Sequence, residues 1–456
     1  MFRGRDHRLL QRRDCADSGA RDRRHPPPGH ERSAVRSVPD DPGRDDGRGG
    51  SRAAQGRDGT IDSQGRERAA RALGRLDWTS CQRRSGCRGR PALLMKIGNI
   101  DLTPPFALAP MAGMTDTAFR RLVKRKGGCG LVVTEMVSSE GLVRGIDRTL
   151  EYAEYTEEER PVSIQIFGGD PDKMAAAAQI VEGMGADLVD VNMGCPVPKI
   201  AKHSAGCSLM REPAHAQAIV SAMARAVKIP VTVKMRAGWD DREINAPDLA
   251  RRMEDAGAAA VAVHGRTAAQ SYSGSSDWDL IDRVAAGLGI PVFGSGDCIE
   301  PAQLVERLAR GPVSGVLVGR GALRNPWIFE QAAAIRRGDA ARDITPTERG
   351  QFLLEYIDLL LDERLGEADG FRHVAPGEGV IEPAPARGHH RWVINKLRAL
   401  NSWYTKGIDN GSHLRVAINA ADSIEHLREI VREFFAAGAI AGRAAHSEPR
   451  PQLSLR

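Results

Sequence analysis

Cysteine is scarce in this sequence, and its spacing excludes two kinds of site. The 456 residues include seven cysteines, three of them within the first 94 residues. The other four show no paired C-x-x-C spacing, so the sequence predicts neither a metal site nor a disulfide framework. Unpaired thiols are typical of a reducing compartment, and we therefore expect a cytoplasmic protein. The cysteines are Cys15, Cys81, Cys87, Cys129, Cys195, Cys207 and Cys298.

Long hydrophobic runs are also missing. No apolar stretch approaches the roughly 18 residues that a transmembrane helix requires. No apolar core of a secretory signal precedes Met95 either. We therefore expect a protein that has no membrane partner.

Lysine is absent from residues 1–94, which hold 22 arginines against 13 acidic residues. This segment lacks a helical or strand period and cannot bury enough apolar surface to offset its ordering entropy. A basic arm or a transit peptide would fit the charge, but we favour translation from a start codon placed too early, with Met95 as the natural start. The net charge of +9 in this segment exceeds the +6 of the whole chain. Residues 95–456 are therefore slightly acidic.

Eight short apolar runs recur along residues 106–321, with helical stretches between them. Strands that alternate with helices indicate βα units around a parallel sheet, and eight units predict an α/β fold, the (β/α)8 TIM barrel. The active site of such a barrel lies where its strands end. The runs are FALAPM (106–111), LVVTEMV (131–137), VSIQIFG (162–168), ADLVDVNMGCP (186–196), VTVKMRAG (231–238), AAVAVHGR (259–266), VFGSGD (292–297) and GVLVGRG (315–321). The residues near their ends are Met111, Glu135, Gln165, Cys195, Lys234, His264, Asp297 and Arg320.

Two glycine-rich turns after the last two strands predict a phosphate site. Barrels often bind phosphate with these loops, here 294–297 and 319–321. Glycine lets backbone N–H groups approach an anion, and Arg320 adds a charged donor. Neither turn completes a dinucleotide or P-loop fingerprint, which favours a single phosphate.

Three polar residues interrupt apolar strands near this site: Gln165, Lys234 and His264. A lone buried histidine is usually an ordinary core residue, and a buried lysine is costly without a partner. Three such residues from three barrel strands suit the ring atoms of flavin mononucleotide (FMN), whose single phosphate suits the two turns.

Cys195 ends the fourth strand between Gly194 and Pro196, on the rim where the active site is expected. A free cysteine is most often a small buried hydrophobe, but this position argues against core packing. The thiol could serve as a nucleophile or as an acid. No protease-like Cys-His signature surrounds it.

The chain continues after the barrel into a small helical domain. We place the barrel at 95–335, the helical domain at 336–440 with a loop insertion at 367–390, and a disordered tail at 441–456. Amphipathic helices are predicted over 345–366, 391–407 and 422–438. Basic and aromatic residues of the middle helix are by themselves compatible with an ordinary solvated face.

The motifs together resemble the tRNA-dihydrouridine synthases, in particular their bacterial B-type branch. The resemblance covers roughly 97–435. Two departures are Ser295, where the branch usually has asparagine, and the 367–390 insertion. The matching stretches are APMAGMTDTAFRRL (109–122), TEMVSSEGL (134–142), SIQIFGGDP (163–171), DVNMGCPVPKI (190–200), AGCSLM (205–210), VTVKMRAGWDD (231–241), VHGRTAAQSYSGSSDW (263–278), GSGD (294–297) and GRGALRNPWIF (319–329).

The resemblance implies a monomeric enzyme that reduces the C5=C6 bond of specific uridines in tRNA, using FMN reduced by NADPH. It implies that flavin N5 gives hydride to C6, that Cys195 protonates C5, and that the C-terminal helices bind tRNA. The residues implied to face the substrate are Asn192, Arg236 and Arg266. The residues implied to bind FMN are Pro110, Met111, Ala112, Gln165, Lys234, His264, Ser295, Gly296, Asp297, Gly319 and Arg320.

Two other functions remain open from the residues. One is an FMN barrel that acts on a free pyrimidine, in the manner of dihydroorotate dehydrogenase. A small-molecule enzyme of that kind has no need of the C-terminal helices. The other is a nitrogen-regulation protein, which would not need Cys195 and Lys234 together at one rim.

Overall fold

The computed structural model describes residues 95–201, 204–361, 367–376 and 386–447. The expectations for residues 1–94, 377–385 and 448–456 lie outside the described residues.

Eight parallel strands form a closed barrel, as the sequence predicts. Each strand lies inside one of the eight predicted apolar runs. The first two barrel strands pair with each other, and their outer partners are the last and the third strand, so the ring closes. The barrel strands are β3 (Phe106–Leu108), β4 (Leu131–Val133), β7 (Val162–Phe167), β8 (Leu188–Met193), β9 (Val231–Arg236), β10 (Ala260–His264), β11 (Val292–Ser295) and β12 (Gly315–Val318).

Among the described residues, five short strands lie outside the ring. β1 (Met95–Ile97) and β2 (Ile100–Leu102) form an antiparallel pair ahead of the first barrel strand. β5 (Val137–Ser138) extends the pairing of β7 near its carboxyl end. β6 (Tyr155–Thr156) pairs with β13 (Arg372–His373), so part of the predicted 367–390 insertion adds a strand beside the barrel.

Helices separate the barrel strands and continue after them. The predicted helices after the barrel are present with shifted ends, and α14 was not predicted. In order they are α1 (Thr117–Lys126), α2 (Ser139–Val143), α3 (Asp147–Ala153), α4 (Pro171–Gly183), α5 (Pro198–Ala201), α6 (Pro213–Ala226), α7 (Ala246–Asp255), α8 (Trp278–Ala286), α9 (Pro301–Arg310), α10 (Arg320–Arg324), α11 (Ile328–Arg337), α12 (Pro346–Leu361), α13 (Ala386–Tyr404), α14 (Gly411–Ala420) and α15 (Ile424–Ser447), with 3-10 turns at Glu157–Glu159 and Gly206–Arg211.

Two helices extend into stretches that were predicted to be a loop or a disordered tail. Helix α13 begins at Ala386, inside the stretch assigned to a loop, and α15 reaches Ser447, inside the stretch assigned to a disordered tail. The glycines and prolines of 367–390 led to the prediction of a loop there, because both residues disfavour helices. Tertiary contacts can outweigh such propensities. Helix α12 has the cap that its sequence predicts, since Thr345 and Glu348 exchange backbone-to-side-chain hydrogen bonds of 2.9 and 3.2 Å.

The barrel interior is layered by strand register. Gln165 lies opposite Asp190, and Asp190 lies opposite Thr232. One layer nearer the carboxyl ends, Asn192 lies opposite Lys234. Because alternate residues of a strand point the same way, these polar side chains all enter the barrel. The lining is therefore polar in the half of the barrel that leads to the catalytic rim.

An aromatic cluster joins the C-terminal helices to the barrel. The ring of Phe119 on α1 lies 6.2 Å from Phe352 and 6.3 Å from Tyr356, both on α12. Tyr404 on α13 lies 6.5 Å from Phe119. All four residues are buried, so the helices after the barrel share its hydrophobic core.

Within the described part of the chain, no helix combines the length and apolar character needed to cross a membrane. Nor do three or more histidine, cysteine or acidic side chains of these residues gather closely enough to hold a metal ion.

Candidate active site

A cleft of about 540 Å³ opens at the carboxyl ends of the barrel strands. Its size is that of a ligand site. Every predicted site residue except Arg266 lines this cleft. Those that line it are Pro110, Met111, Ala112, Gln165, Asn192, Cys195, Lys234, Arg236, His264, Ser295, Gly296, Asp297, Gly319 and Arg320.

Lys234 faces this cleft without a protein partner. Burial, and then the charge of Arg236, lowers the pKa of Lys234 to about 8, although Asp190 and Cys195 oppose this. None of the described residues accepts a hydrogen bond from its ammonium group. A buried ammonium needs an acceptor, so Lys234 fits a ligand that presents one.

His264 shows that the cleft carries an excess of positive charge. Burial, and then the charges of Lys234 and three arginines, lowers the pKa of His264 to about 2. Its imidazole is therefore neutral at physiological pH. Its Nε2 lies 3.5 Å from Nη1 of Arg266. A neutral imidazole among cations can orient a ligand without repelling it, and the cations favour an anion.

The turn after β11 is shaped for a close backbone approach. Gly296 has a φ of +125°, and a Cβ there would lie 2.3 Å from Oγ of Ser276. Asp297 follows with a φ of +56° and accepts a 2.7 Å hydrogen bond from Ser276 N. Burial alone would raise the pKa of Asp297, but the bonds from Ser276 and Arg266 lower it. The carboxylate thus holds the turn in place as an anion.

Arg320 begins the short helix after β12 and lies at the mouth of the cleft. Its guanidinium stacks over Tyr272 at 4.6 Å and lies 3.5 Å from the Asp297 carboxylate. About a third of its side chain is exposed. Arg320 is thus available to an anion at this end of the cleft.

Arg236 and Arg266 are held by backbone carbonyls. Arg236 donates to the oxygens of Gly194, Thr267 and Ser271 over 2.8–3.0 Å. It ties the loop after β8, which spans 194–197 and carries Cys195 (the cysteine loop), to the loop after β10.

Arg266, which was implied to face the substrate, does not line the cleft. It is 2% exposed and donates to Ser273, Gly274 and Asp297. The sequence could not show this, because the carbonyls that bind the guanidinium come from a turn seven and eight residues further on.

Glu135 lies near the end of its apolar run and, like Arg266, does not line the cleft. Its Oε2 accepts a 2.7 Å hydrogen bond from Gly113 N. Burial raises its pKa, against the effect of that bond and of Lys396. Glu135 therefore positions the loop after β3.

Cys195 lies in the loop after β8 with its side chain partly exposed to the cleft. Its N–H donates to Oδ1 of Asn192 over 2.9 Å, and its carbonyl accepts from Cys207 N over 3.1 Å. Cys207 is 1% exposed, and burial raises its pKa. The cleft therefore has access to one of these two thiols, that of Cys195.

Sequence reasoning missed several residues of the site. Tyr272 and Trp403 line the cleft, Trp403 from helix α13. Tyr272 lies in the matched stretch 263–278, and an aromatic residue in a rim loop is a usable signal. Trp403 gave no signal of its own, because only packing brings α13 to the rim.

Comparisons with known proteins agree with the motifs. Residues 107–382 match the family model described as "Dihydrouridine synthase (Dus)". The chain is 37% identical over 344 residues to "Probable tRNA-dihydrouridine synthase" of Rickettsia conorii, a match covering 75% of this chain and 96% of that one. It is 36% identical to "tRNA-dihydrouridine synthase B" of Xanthomonas campestris, again over 75% and 96%. A solved morphinone reductase is similar with a TM-score of 0.40 and 14% identity, covering 57% of this chain and 92% of that one.

Proposed function

This chain belongs to the dihydrouridine synthase family, and from that membership we propose that it reduces the C5=C6 bond of uridines in tRNA, with FMN bound in the cleft and NADPH as reductant. One observation carries the proposal. The cleft joins an accessible thiol, Cys195, to an unpartnered ammonium, Lys234. Reduction of a carbon–carbon double bond needs both a proton donor and a bound source of hydride.

The residues present fit FMN. Lys234 lacks an acceptor, as described, and Gln165 and His264 offer further hydrogen bonds beside it. We propose that these three bind the flavin ring and that Arg320 binds the phosphate. Gly296 and Gly319 let the backbone approach, since a Cβ on Gly319 would lie 3.3 Å from the Met111 sulfur. When bound, the flavin supplies the hydride that adds to C6 after reduction by NADPH.

The chain's own residues then complete the reduction. The thiol of Cys195 donates its proton to C5, so that the electron pair of the former double bond forms the new C5–H bond. Asn192 fixes the backbone of the cysteine loop, and Arg236 ties that loop to its neighbour. Two C–H bonds form while the π bond and the S–H bond are lost. The hydride with its two electrons originates from NADPH, and a proton from solvent restores the thiol of Cys195.

The C-terminal helices favour a macromolecular substrate over a free pyrimidine. Helix α13 contributes Trp403 to the cleft, and its exposed face continues to Trp392, which is 46% exposed. A base that leaves its stack must enter a pocket beside aromatic surfaces, as RNA enzymes commonly provide.

The decisive experiment is mass spectrometry of tRNA nucleosides from a deletion strain, with and without the restored gene. Loss of dihydrouridine at defined positions, regained on complementation, is expected; an unchanged profile would overturn the proposal.

Replacing Lys234 with alanine should reduce flavin retention. A hydrogen bond to a charged group is worth about 1.5–3 kcal/mol, so FMN should bind roughly 10- to 100-fold more weakly. Arg320→Ala should act similarly by removing a phosphate contact. Flavin released from the purified proteins would be identified and counted by chromatography. Lys228→Ala, an exposed lysine of the barrel exterior, is the matched control. Recovery of FAD instead of FMN would contradict the assignment.

The C-terminal helices should bind tRNA through their exposed basic residues. Arg398 is not one of them, because its guanidinium donates to the carbonyl of Ala421 over 2.7 Å. Arg391 and Lys406 are exposed. Replacing either with alanine should weaken tRNA binding and reduce the salt slope by about one. Filter binding at several salt concentrations measures both, with Arg225→Ala on α6 as control. Equal slopes would assign these residues to an ordinary solvated face.

A further inference from the structure

A hydrogen-bonded chain runs from the middle of the barrel to the cysteine loop. Thr232 Oγ1 donates to Asp190 Oδ1 over 2.6 Å, and Gln165 Nε2 donates to Asp190 Oδ2 over 2.6 Å. Asn192 Nδ2 donates to Gln165 Oε1 over 2.7 Å. Asn192 Oδ1 then accepts from the N–H of Gly194 and of Cys195, over 3.1 and 2.9 Å. Four strand residues and two loop residues are thus joined by one series of hydrogen bonds.

The hydrogen-bonded chain has a direction, which Asp190 sets at one end and which the donor-only N–H groups of Gly194 and Cys195 match at the other. Thr232 can donate or accept, and an amide can face either way, but a carboxylate only accepts. Asp190 therefore requires the NH₂ group of Gln165 to face it, which leaves Oε1 of Gln165 to face Asn192. That oxygen in turn requires the NH₂ group of Asn192, so that Oδ1 of Asn192 faces the cysteine loop.

We propose that Asp190 is a positioning residue that fixes the orientation of the Gln165 amide and, through it, supports the Asn192 amide that holds Cys195 in its loop. The inference rests on the proposed function for the roles of Gln165 and Cys195. Asp190 itself lines no part of the cleft and is 5% exposed.

Burial raises the pKa of Asp190 overall. The hydrogen bonds from Gln165 and Thr232 and the charge of Lys234 act against this rise and stabilise the carboxylate. Asp190 and Lys234 also line one small interior cavity of about 30 Å³ together with Ser163. The Oγ of Ser163 is buried there without a hydrogen-bond partner.

The variant Asp190→Asn tests whether Asp190 sets the direction of these hydrogen bonds. In Asp190→Asn the new side chain can donate as well as accept, so the Gln165 amide is no longer held in one orientation. When Gln165 reverses, its NH₂ group meets that of Asn192 and weakens the hold of Asn192 on the Cys195 N–H. The cysteine loop should loosen, and Cys195 should react with iodoacetamide at least fivefold faster, as mapped by peptide mass spectrometry. Cys207 is the internal reference. Single-turnover reduction of tRNA, normalised to bound flavin, should fall roughly 10- to 100-fold, the effect of one hydrogen bond to a charged group.

Ser163→Ala is the matched control, because it changes a buried neighbour of Asp190 outside the chain. It should leave the alkylation rate within twofold of the wild type. If Asp190→Asn does not fold, Gln165→Leu is the alternative variant. It removes the hydrogen bonds that Gln165 makes to Asp190 and Asn192, and it should accelerate alkylation of Cys195 to the same extent. Unchanged alkylation in whichever variant folds would overturn the inference. If alkylation changes as expected but the wild-type protein forms no dihydrouridine, the proposed function fails and the positioning role stands.

Discussion

Replacing Cys195 with alanine should nearly abolish the reduction of tRNA while leaving flavin binding intact. The thiol reaches the cleft, and its loop is fixed by Asn192. Removal of a general acid commonly lowers the rate by about 10²–10⁴. Reduction of bound flavin by NADPH should stay near normal, because that step needs no proton from this thiol. Stopped-flow absorbance separates the two half-reactions in a single preparation.

Cys207 is the matched control for this experiment. It lies twelve residues further on and contacts the same loop, but it is 1% exposed and packs in the core. Its backbone N–H, which bonds to the Cys195 carbonyl, is kept in Cys207→Ala. That variant should therefore lose some stability and little activity. If tRNA reduction survives in Cys195→Ala and fails in Cys207→Ala, the acid has been assigned to the wrong cysteine.

Replacing Lys396 with methionine should destabilise the protein by about 3–5 kcal/mol, the usual cost of breaking a buried ion pair from one side. Its ammonium lies 2.7 Å from Asp116 Oδ2 and 2.9 Å from the carbonyl of Gly113. Only 11% of the lysine side chain is exposed. Asp116 also accepts a 2.8 Å hydrogen bond from Tyr356 and caps helix α1. Urea unfolding followed by circular dichroism measures the loss.

A second variant separates the charge from the packing. In Lys396→Met with Asp116→Asn, no uncompensated carboxylate remains at that position, so much of the lost stability should return. Because Gly113 and Asp116 belong to the loop that carries Met111 and Met114 into the cleft, the single variant should also bind flavin less tightly. A single variant as stable as the wild type would show that α13 does not hold this loop through Lys396.

The ion pair between Lys396 and Asp116 shows that the basic residues of helix α13 do not all lie on a solvated face. From the sequence, Lys396 and Arg398 are two more cations on an amphipathic helix. In the structure both are held by protein groups, Lys396 by the barrel loop and Arg398 by the end of α14. Arg391 and Lys406 keep their exposure. Helical periodicity shows which residues share a face, but it does not show what that face packs against.

The sequence by itself determined the barrel and most of its cleft. Parallel strands buried on both faces need continuous apolar runs, and the carboxyl ends of a closed set of strands meet at one rim. Every polar residue near those ends was therefore a candidate, and Gln165, Cys195, Lys234 and His264 do line one cleft.

Only the tertiary structure decided which polar groups point into the cleft and which hold it in shape. Arg266 and Glu135 sit close to strand ends but bind loop backbone instead. The direction of the hydrogen bonds that link Asp190 to Cys195 depends on contacts between residues on three strands. Trp403 reaches the rim only because an aromatic core joins α13 to the barrel. Strand ends follow from local pattern, whereas hydrogen-bond partners far apart in sequence exist only once the chain has packed.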